Sequence, residues 1–337
     1  MKLKRLFAKA ASVATLATFL SVPFTAQAEE VKSLNFGIIS TESSQNLKTV
    51  WMPFLNDMSE KLGMEVKPFF ASDYAGVIQA MRFDKVDLAW LGNKSALEAV
   101  DRSGGQIFAQ TVDVTGNPGY WSLLLVNKDN DKINSLDDMF KYSKELTFGN
   151  GDPNSTSGFL VPSYYVFAQN NADPKKIFKR MTNAGHESNF LAVATGQVDV
   201  ATNNTENVSR IKVTHPDKFD KVKVIWKSPL IPSDPIVWRK NLPESAKGKI
   251  YDFMMNYGKS NDASELATLE ALQWAPFKAS NDDQLLPIRQ LALFKERLTL
   301  INSNMSAKDK ATKVQALDDQ LAELGRRMDA IAAAKAN

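Results

Sequence analysis

Three hydroxyl side chains in a row, Ser155, Thr156 and Ser157, close a glycine-rich turn within residues 146–160, LTFGNGDPNSTSGFL. An apolar run leads into the turn and apolar periodicity resumes after it. This predicts a strand, a tight loop and a helix beginning near Ser157. The first N–H groups of such a helix have no helical partners, and the helix dipole adds partial positive charge there. With the hydroxyls they form a site for a tetrahedral oxyanion, held by neutral donors because the loop has no Lys or Arg. A capping serine alone would explain one hydroxyl; three in succession favour the anion. The Gly-Lys-[Ser/Thr] ending of a nucleotide-binding loop is absent.

The elements that carry this turn occur twice. Leu34-Asn35-Phe36-Gly37 resembles Leu146-Thr147-Phe148-Gly149, and Val86-Asp87-Leu88-Ala89 resembles Val198-Asp199-Val200-Ala201, both at an offset of 112 residues. Each copy reads as strand, helix (47–62 and 158–170), strand (66–70 and 178–182), helix and strand. That order implies βαβ units, parallel sheets and two similar α/β lobes. The apolar passages 120–127 and 222–238 read as two crossings that form a hinge. Lobe one then comprises 29–122 and 236–290, lobe two 123–235, and residues 291–337 a C-terminal helical extension. The cleft should lie beyond the carboxyl ends of the strands.

The same offset pairs Tyr74 with His186, both placed to look into the cleft. His186 can offer an oxyanion a hydrogen bond or, protonated, a charge; it reads equally as a surface loop histidine. The next cleft-facing loops hold Trp90-Leu91-Gly92-Asn93 and Asn203-Asn204-Thr205-Glu206. Glu206 has the place of a helix-start acid and Asp234 that of a turn residue. Two acids at the cleft or hinge would also suit a cationic group on a ligand.

Lys2, Lys4, Arg5 and Lys9 precede an uncharged, mostly apolar run that ends in Ala26-Gln27-Ala28. This is the pattern of a cleavable secretory leader, residues 1–28. Without it, 37 basic residues face 38 acidic ones, so nothing predicts nucleic-acid binding. There is no cysteine, so an exported chain must rely on its core. Two histidines and no cysteine argue against a transition-metal site, and no cofactor is expected. In the tail, Val314, Leu317, Leu321, Leu324, Met328 and Ile331 form an a/d seam on one helix. The seam suits either packing against the preceding helix or a homodimer joined through residues 285–334.

Six segments, DYAG at 73–76, PGYW at 118–121, GNGDPNSTSGF at 149–159, NAGHE at 183–187, NNTEN at 203–207 and SPLIPSDPIVWR at 228–239, closely resemble the periplasmic substrate-binding proteins of phosphonate ABC transporters. The resemblance runs from about residue 34 to 300. It implies a type II periplasmic-binding-protein fold with a closing cleft, a periplasmic location of Gram-negative type, and a membrane permease as partner. It assigns phosphonate binding to Tyr120, Ser155, Thr156, Ser157 and His186. Tyr74, Glu206 and Asp234 match the positions that receive the aminoalkyl end of 2-aminoethylphosphonate. Leu91 departs from the family's W-Y-G-N pattern, which bears on the cleft wall nearby. A receptor for phosphate, phosphite or sulfonate is the alternative. A phosphonate or phosphate-ester hydrolase would need an activated nucleophile or a metal, neither evident in the sequence.

Overall fold

The computed structural model describes residues 31–336 apart from Asn261; the leader expected at 1–28 lies outside the described residues. In chain order the strands are β1 (Ser33–Ile38), β2 (Glu65–Phe70), β3 (Leu88–Trp90), β4 (Gly105–Asp113), β5 (Gly119–Tyr120), β6 (Ser122–Asn127) and β7 (Thr147–Asn150). Then follow β8 (Arg180–Asn183), β9 (Val200–Asn204), β10 (Val222–Lys227), β11 (Ile231–Pro232), β12 (Pro235–Arg239) and β13 (Trp274–Ala279). A six-stranded sheet has the order β13-β4-β12-β3-β1-β2 and a five-stranded sheet the order β10-β6-β9-β7-β8. We call the bodies built on them the first and second lobes. The sheets are mixed rather than parallel throughout. Pairing is parallel within the repeated units, β1 with β2 and β3, and β7 with β8 and β9. It turns antiparallel where the crossing segments join, at β12, β6 and β10.

The 112-residue repeat has a physical basis. Asp87 accepts the N–H of Asn35 at 2.7 Å, and Asp199 accepts that of Thr147 at the same distance. Each aspartate thus ties the entry of its third strand to the first. Phe36 pairs with Leu88 and Gly37 with Ala89, as Phe148 does with Val200 and Gly149 with Ala201. A Cβ on Gly37 would stand 2.7 Å from Val77 Cγ1, and one on Gly149 would stand 2.8 Å from Asn189 Oδ1. Both glycines therefore let a helix lie close on the sheet.

In the first lobe, helices α1 (Ser44–Leu62), α2 (Tyr74–Arg82) and α3 (Asn93–Arg102) follow β1, β2 and β3. Their apolar faces meet β1 and β3 in one core that includes Phe36, Trp51 and Phe54. The second lobe closes its core around Phe148, Phe167 and Phe178. The two crossings pair with each other as β5 and β11, with Tyr120 opposite Ile231 and Gly119 opposite Pro232. A Cβ on Gly119 would lie 1.9 Å from the Ile231 carbonyl oxygen, so the crossings touch backbone to backbone.

The helix expected at 158–170 departs from α geometry. It begins at Thr156 and runs as π-helical turns at Thr156–Leu160 and Ser163–Ala168. Pro162 supplies the reason. An α-helix would bond its N–H to the carbonyl of Gly158, but proline has no N–H. The Gly158 oxygen instead accepts from Gly151 N at 2.9 Å, and Leu160 N reaches back five residues to Ser155.

At the C-terminus, the helix Ala307–Ala336 packs on Leu286–Ile301. Leu317 and Leu324 of the seam are buried within the chain, while Val314, Leu321, Met328 and Ile331 are half-buried. Arg297 pairs with Asp318, and Arg327 with Asp283. No described helix is long and apolar enough to cross a membrane.

Candidate ligand-binding site

One cavity lies between the lobes, with about 440 Å³ of empty space partly open to solvent. Tyr74, Tyr120, Ser155, Thr156, Ser157, His186, Glu206 and Asp234, the eight residues singled out in the sequence, all line it. The repeat explains the convergence. Helix caps fall at Ser43 and Ser155, Asp73 and Gly185, and Gly92 and Asn204, each pair 112 residues apart. Both lobes therefore direct three helix starts at the cleft, and those of the second lobe surround the three hydroxyls.

Ser155 is a true cap, since its Oγ accepts Gly158 N at 2.9 Å. That bond uses the oxygen as an acceptor; the hydroxyl proton faces His186 Nε2, 3.4 Å away, and can turn from there to an anion, so capping and anion binding are compatible on one side chain. Thr156 Oγ1 accepts Lys94 N, from the first lobe, at 2.8 Å. Its proton is likewise free to donate. Ser157 Oγ accepts Asn204 Nδ2 at 3.1 Å. All three serine and threonine side chains are buried.

His186 is the first residue of its helix and is 3% exposed. The sequence leaves room for a charged imidazole. Burial instead brings its pKa down to about 4, so the ring is neutral at pH 7. Asn204 Nδ2, which can only donate, lies 3.2 Å from Nε2. This contact assigns the ring proton to Nδ1, which has no partner among the described residues.

The opposite side of the cavity is acidic. Burial, and secondarily the charge of Glu206, hold Asp234 well above the usual carboxylate range. Burial raises Glu206 from 4.5 to about 7, against the pull of Arg210 one helical turn on. Tyr120 donates to Asp234 Oδ1 at 2.9 Å and so stands between the hydroxyl side and the acids. Burial keeps the Tyr74 and Tyr120 phenols protonated. Arg210 serves both Glu206 and Glu42, and the groups that act on Asp234 beside burial are Glu206, Tyr120 and Trp90, so this end of the cavity is short of positive charge.

Sequence reasoning missed Thr41, Glu42, Arg210 and Trp274 on the cavity wall. Arg210 Nε lies 2.8 Å from Glu42 Oε1 across the lobes. Arg210 could have been found from its i+4 spacing to Glu206, and Glu42 from its place in the turn that matches residue 154 in the repeat. Trp274 carried no such signal; it closes the cavity floor with Trp90, ring centroids 5.8 Å apart. Leu91 does not line the cavity. It is fully buried in the first core, so its departure from the family pattern acts on packing behind the wall.

Two α/β lobes, two crossings and a polar cleft between the lobes define a periplasmic-binding-protein fold. Residues 36–285 match the family model described as ABC transporter, phosphonate, periplasmic substrate-binding protein. The chain is 61% identical over 323 residues to the phosphonates-binding periplasmic protein of Escherichia coli K12, covering 96% of this chain and 94% of that one. A crystal structure of a binding-protein component of a Pseudomonas aeruginosa phosphonate ABC transporter is also 61% identical. It covers 89% of this chain and 99% of its own, with a TM-score of 0.87. A Prochlorococcus marinus protein solved with methylphosphonate shares the fold at 23% identity and a TM-score of 0.68, covering 77% of this chain and 97% of its own. The chain belongs to the family of periplasmic substrate-binding proteins of phosphonate ABC transporters. That family is a transport component and not an enzyme, in line with the sequence reading.

Proposed function

We propose that this protein captures aminoalkylphosphonates, represented by 2-aminoethylphosphonate, and presents them to the permease of an ABC importer. The phosphonate group lies against Ser155, Thr156, Ser157, Tyr120 and His186; the ammonium lies against Tyr74, Glu206 and Asp234. The observation that carries this reading is the opposite polarity of one cavity. Neutral donors at helix starts face one end, and two acids with raised pKa values, Asp234 buried and Glu206 half-buried, face the other. A plain alkylphosphonate, or inorganic phosphate or phosphite, leaves the acid end unpaired. The leader at 1–28 accounts for export, and the crossings at β5 and β11 serve as the hinge.

Calorimetry with 2-aminoethylphosphonate and ethylphosphonate tests the reading. Charge-assisted hydrogen bonds to the ammonium favour the amine by roughly ten- to a hundredfold. Equal affinities would remove the amine subsite. Tighter binding of phosphate than of either phosphonate would support the alternative, a receptor for the inorganic anion.

The half-buried members of the C-terminal seam leave a strip for a second copy, and we propose that two chains pair through residues 285–334. Light scattering should give about twice the chain mass, and truncation after Ile301 should reduce it. A monomer at high concentration would mean that the intrachain contacts of Leu317 and Leu324 use up the seam.

A further inference from the structure

The repeat gives the first lobe the same three convergent helix starts as the second, yet the hydroxyl cluster belongs only to the second. In the first lobe the second lobe's own acceptors occupy those starts. Glu187 Oε2 accepts Ser43 N, the cap N–H of α1, at 2.7 Å, and its Oε1 accepts Asn46 Nδ2. An acid three residues into a helix ordinarily fills this role from within the same helix. Asp152 Oδ2 accepts Tyr74 N, the first N–H of α2, at 3.1 Å. Thr156 Oγ1 accepts Lys94 N in the first turn of α3, whose cap Gly92 has no side chain to do so.

We propose that Glu187 and Asp152, with Thr156, are positioning residues that hold the cleft closed by capping α1, α2 and α3 from the opposite lobe. Each bond exists only while the lobes are together; on opening, water must replace all of them. Thr156 joins this latch to the anion end, because its oxygen takes an N–H from the first lobe while its proton remains for the ligand. Closure thus uses the helix starts of one lobe as binding uses those of the other. This inference rests on the phosphonate reading for its ligand assay, but not for its geometry.

The carboxylates leave no slack for an amide. Both oxygens of Glu187 accept, from Ser43 and Asn46. Both oxygens of Asp152 accept, from Tyr74 and from Asn154 N at 2.7 Å. Asp152→Asn therefore turns an NH2 group onto a backbone N–H, and Glu187→Gln meets the same conflict unless the Asn46 amide turns its oxygen toward the new NH2. If the bound state needs closure, apparent affinity falls by the fraction of closed protein lost, whatever the ligand.

The test titrates 2-aminoethylphosphonate and ethylphosphonate into wild type, Glu187→Gln, Asp152→Asn, Asn46→Ala and the Glu187→Gln/Asn46→Ala pair. X-ray scattering is recorded for each with and without ligand, and circular dichroism checks folding. Each latch variant should weaken both ligands by the same factor, about tenfold for Glu187→Gln, with their ratio unchanged. The pair should be no weaker than Glu187→Gln alone, because the two residues share one bond across the lobes. Unchanged affinity in both Glu187→Gln and Asp152→Asn, or loss for one ligand only, would overturn the proposal. If one of these two variants fails to fold, the other decides. If wild type binds neither phosphonate, the ligand reading fails, and scattering of the unliganded Glu187→Gln/Asp152→Asn pair decides the latch. Expansion relative to wild type upholds it, and an identical radius of gyration overturns it.

Discussion

Glu206→Gln should make the unliganded protein more stable at pH 8 while reducing its preference for amines. Burial raises the Glu206 carboxyl from 4.5 to about 7, so the fold prefers the protonated form. The sign follows from linkage. The stability contribution is fully present below the unfolded pKa, near 4.5, and is lost as pH rises through about 7. A shift of this size corresponds to about 3 kcal/mol. Glutamine has the shape of the protonated acid and no charge to desolvate. Denaturant titrations should therefore show little difference between wild type and variant at pH 4, and a gain of about 3 kcal/mol for the variant at pH 8. Binding should move the other way. An ammonium stabilises the carboxylate, so wild-type preference for 2-aminoethylphosphonate over ethylphosphonate should shrink as pH falls from 8 to 5.5. The variant should show a smaller, flat preference. Parallel pH profiles for the two proteins would mean that Glu206 neither resists ionisation nor meets the amine.

This trade has a structural cause that the sequence shows only in part. The 112-residue offset made the lobes, the turns and the pairing of Tyr74 with His186 legible, because the repeat keeps both strand register and helix caps. Asp87 and Asp199 accept equivalent N–H groups, and Ser43, Asp73 and Gly92 cap where Ser155, Gly185 and Asn204 cap. Glu206 and Asp234 were legible as acids near the cleft. Their mutual influence was not, since it depends on how far burial strips both of water.

Contacts between lobes were the least legible. A sequence pattern reports periodicity within an element, whereas Thr156 meets Lys94 and Glu42 meets Arg210 only after two distant segments close on each other. The neutral state of His186 is hidden for the same reason. Its neighbours Ser155 and Asn204 are uncharged and offer the ring no anion to hold a proton. The tail shows the converse limit. Its heptad spacing is plain, but spacing does not say whether the apolar face meets the chain's own helix or another chain. Here Leu317 and Leu324 meet the chain's own.

Gly151→Ala should abolish tight phosphonate binding while leaving the protein folded. A Cβ at this position would lie 2.5 Å from Gly158 Cα, C and O, all backbone atoms that no rotamer change can move. The turn would have to lift away from β7, which breaks the 2.9 Å bond from Gly151 N to Gly158 O. That carbonyl has no second partner within the helix, because Pro162 lacks the N–H that would serve it. A buried carbonyl left without a donor costs about 1–3 kcal/mol. The larger effect is geometric. Ser155, Thr156 and Ser157 sit between the two clashing glycines, so their donors shift together, and Thr156 is pulled from Lys94. Calorimetry should show at least a roughly hundredfold loss, the order expected when several charge-assisted bonds are misplaced at once. The cores around Phe36 and Phe148 do not include the turn, so circular dichroism should keep a cooperative melt at a lower temperature. Gly248→Ala is the matching control. It lies in the helix Glu244–Asn256 with no atom near a new Cβ, and should add about 0.5–1 kcal/mol of stability without changing affinity. If Gly151→Ala binds as wild type does, the π-helical turn does not set the anion site, and the donors that hold a phosphonate must be sought elsewhere in the cleft.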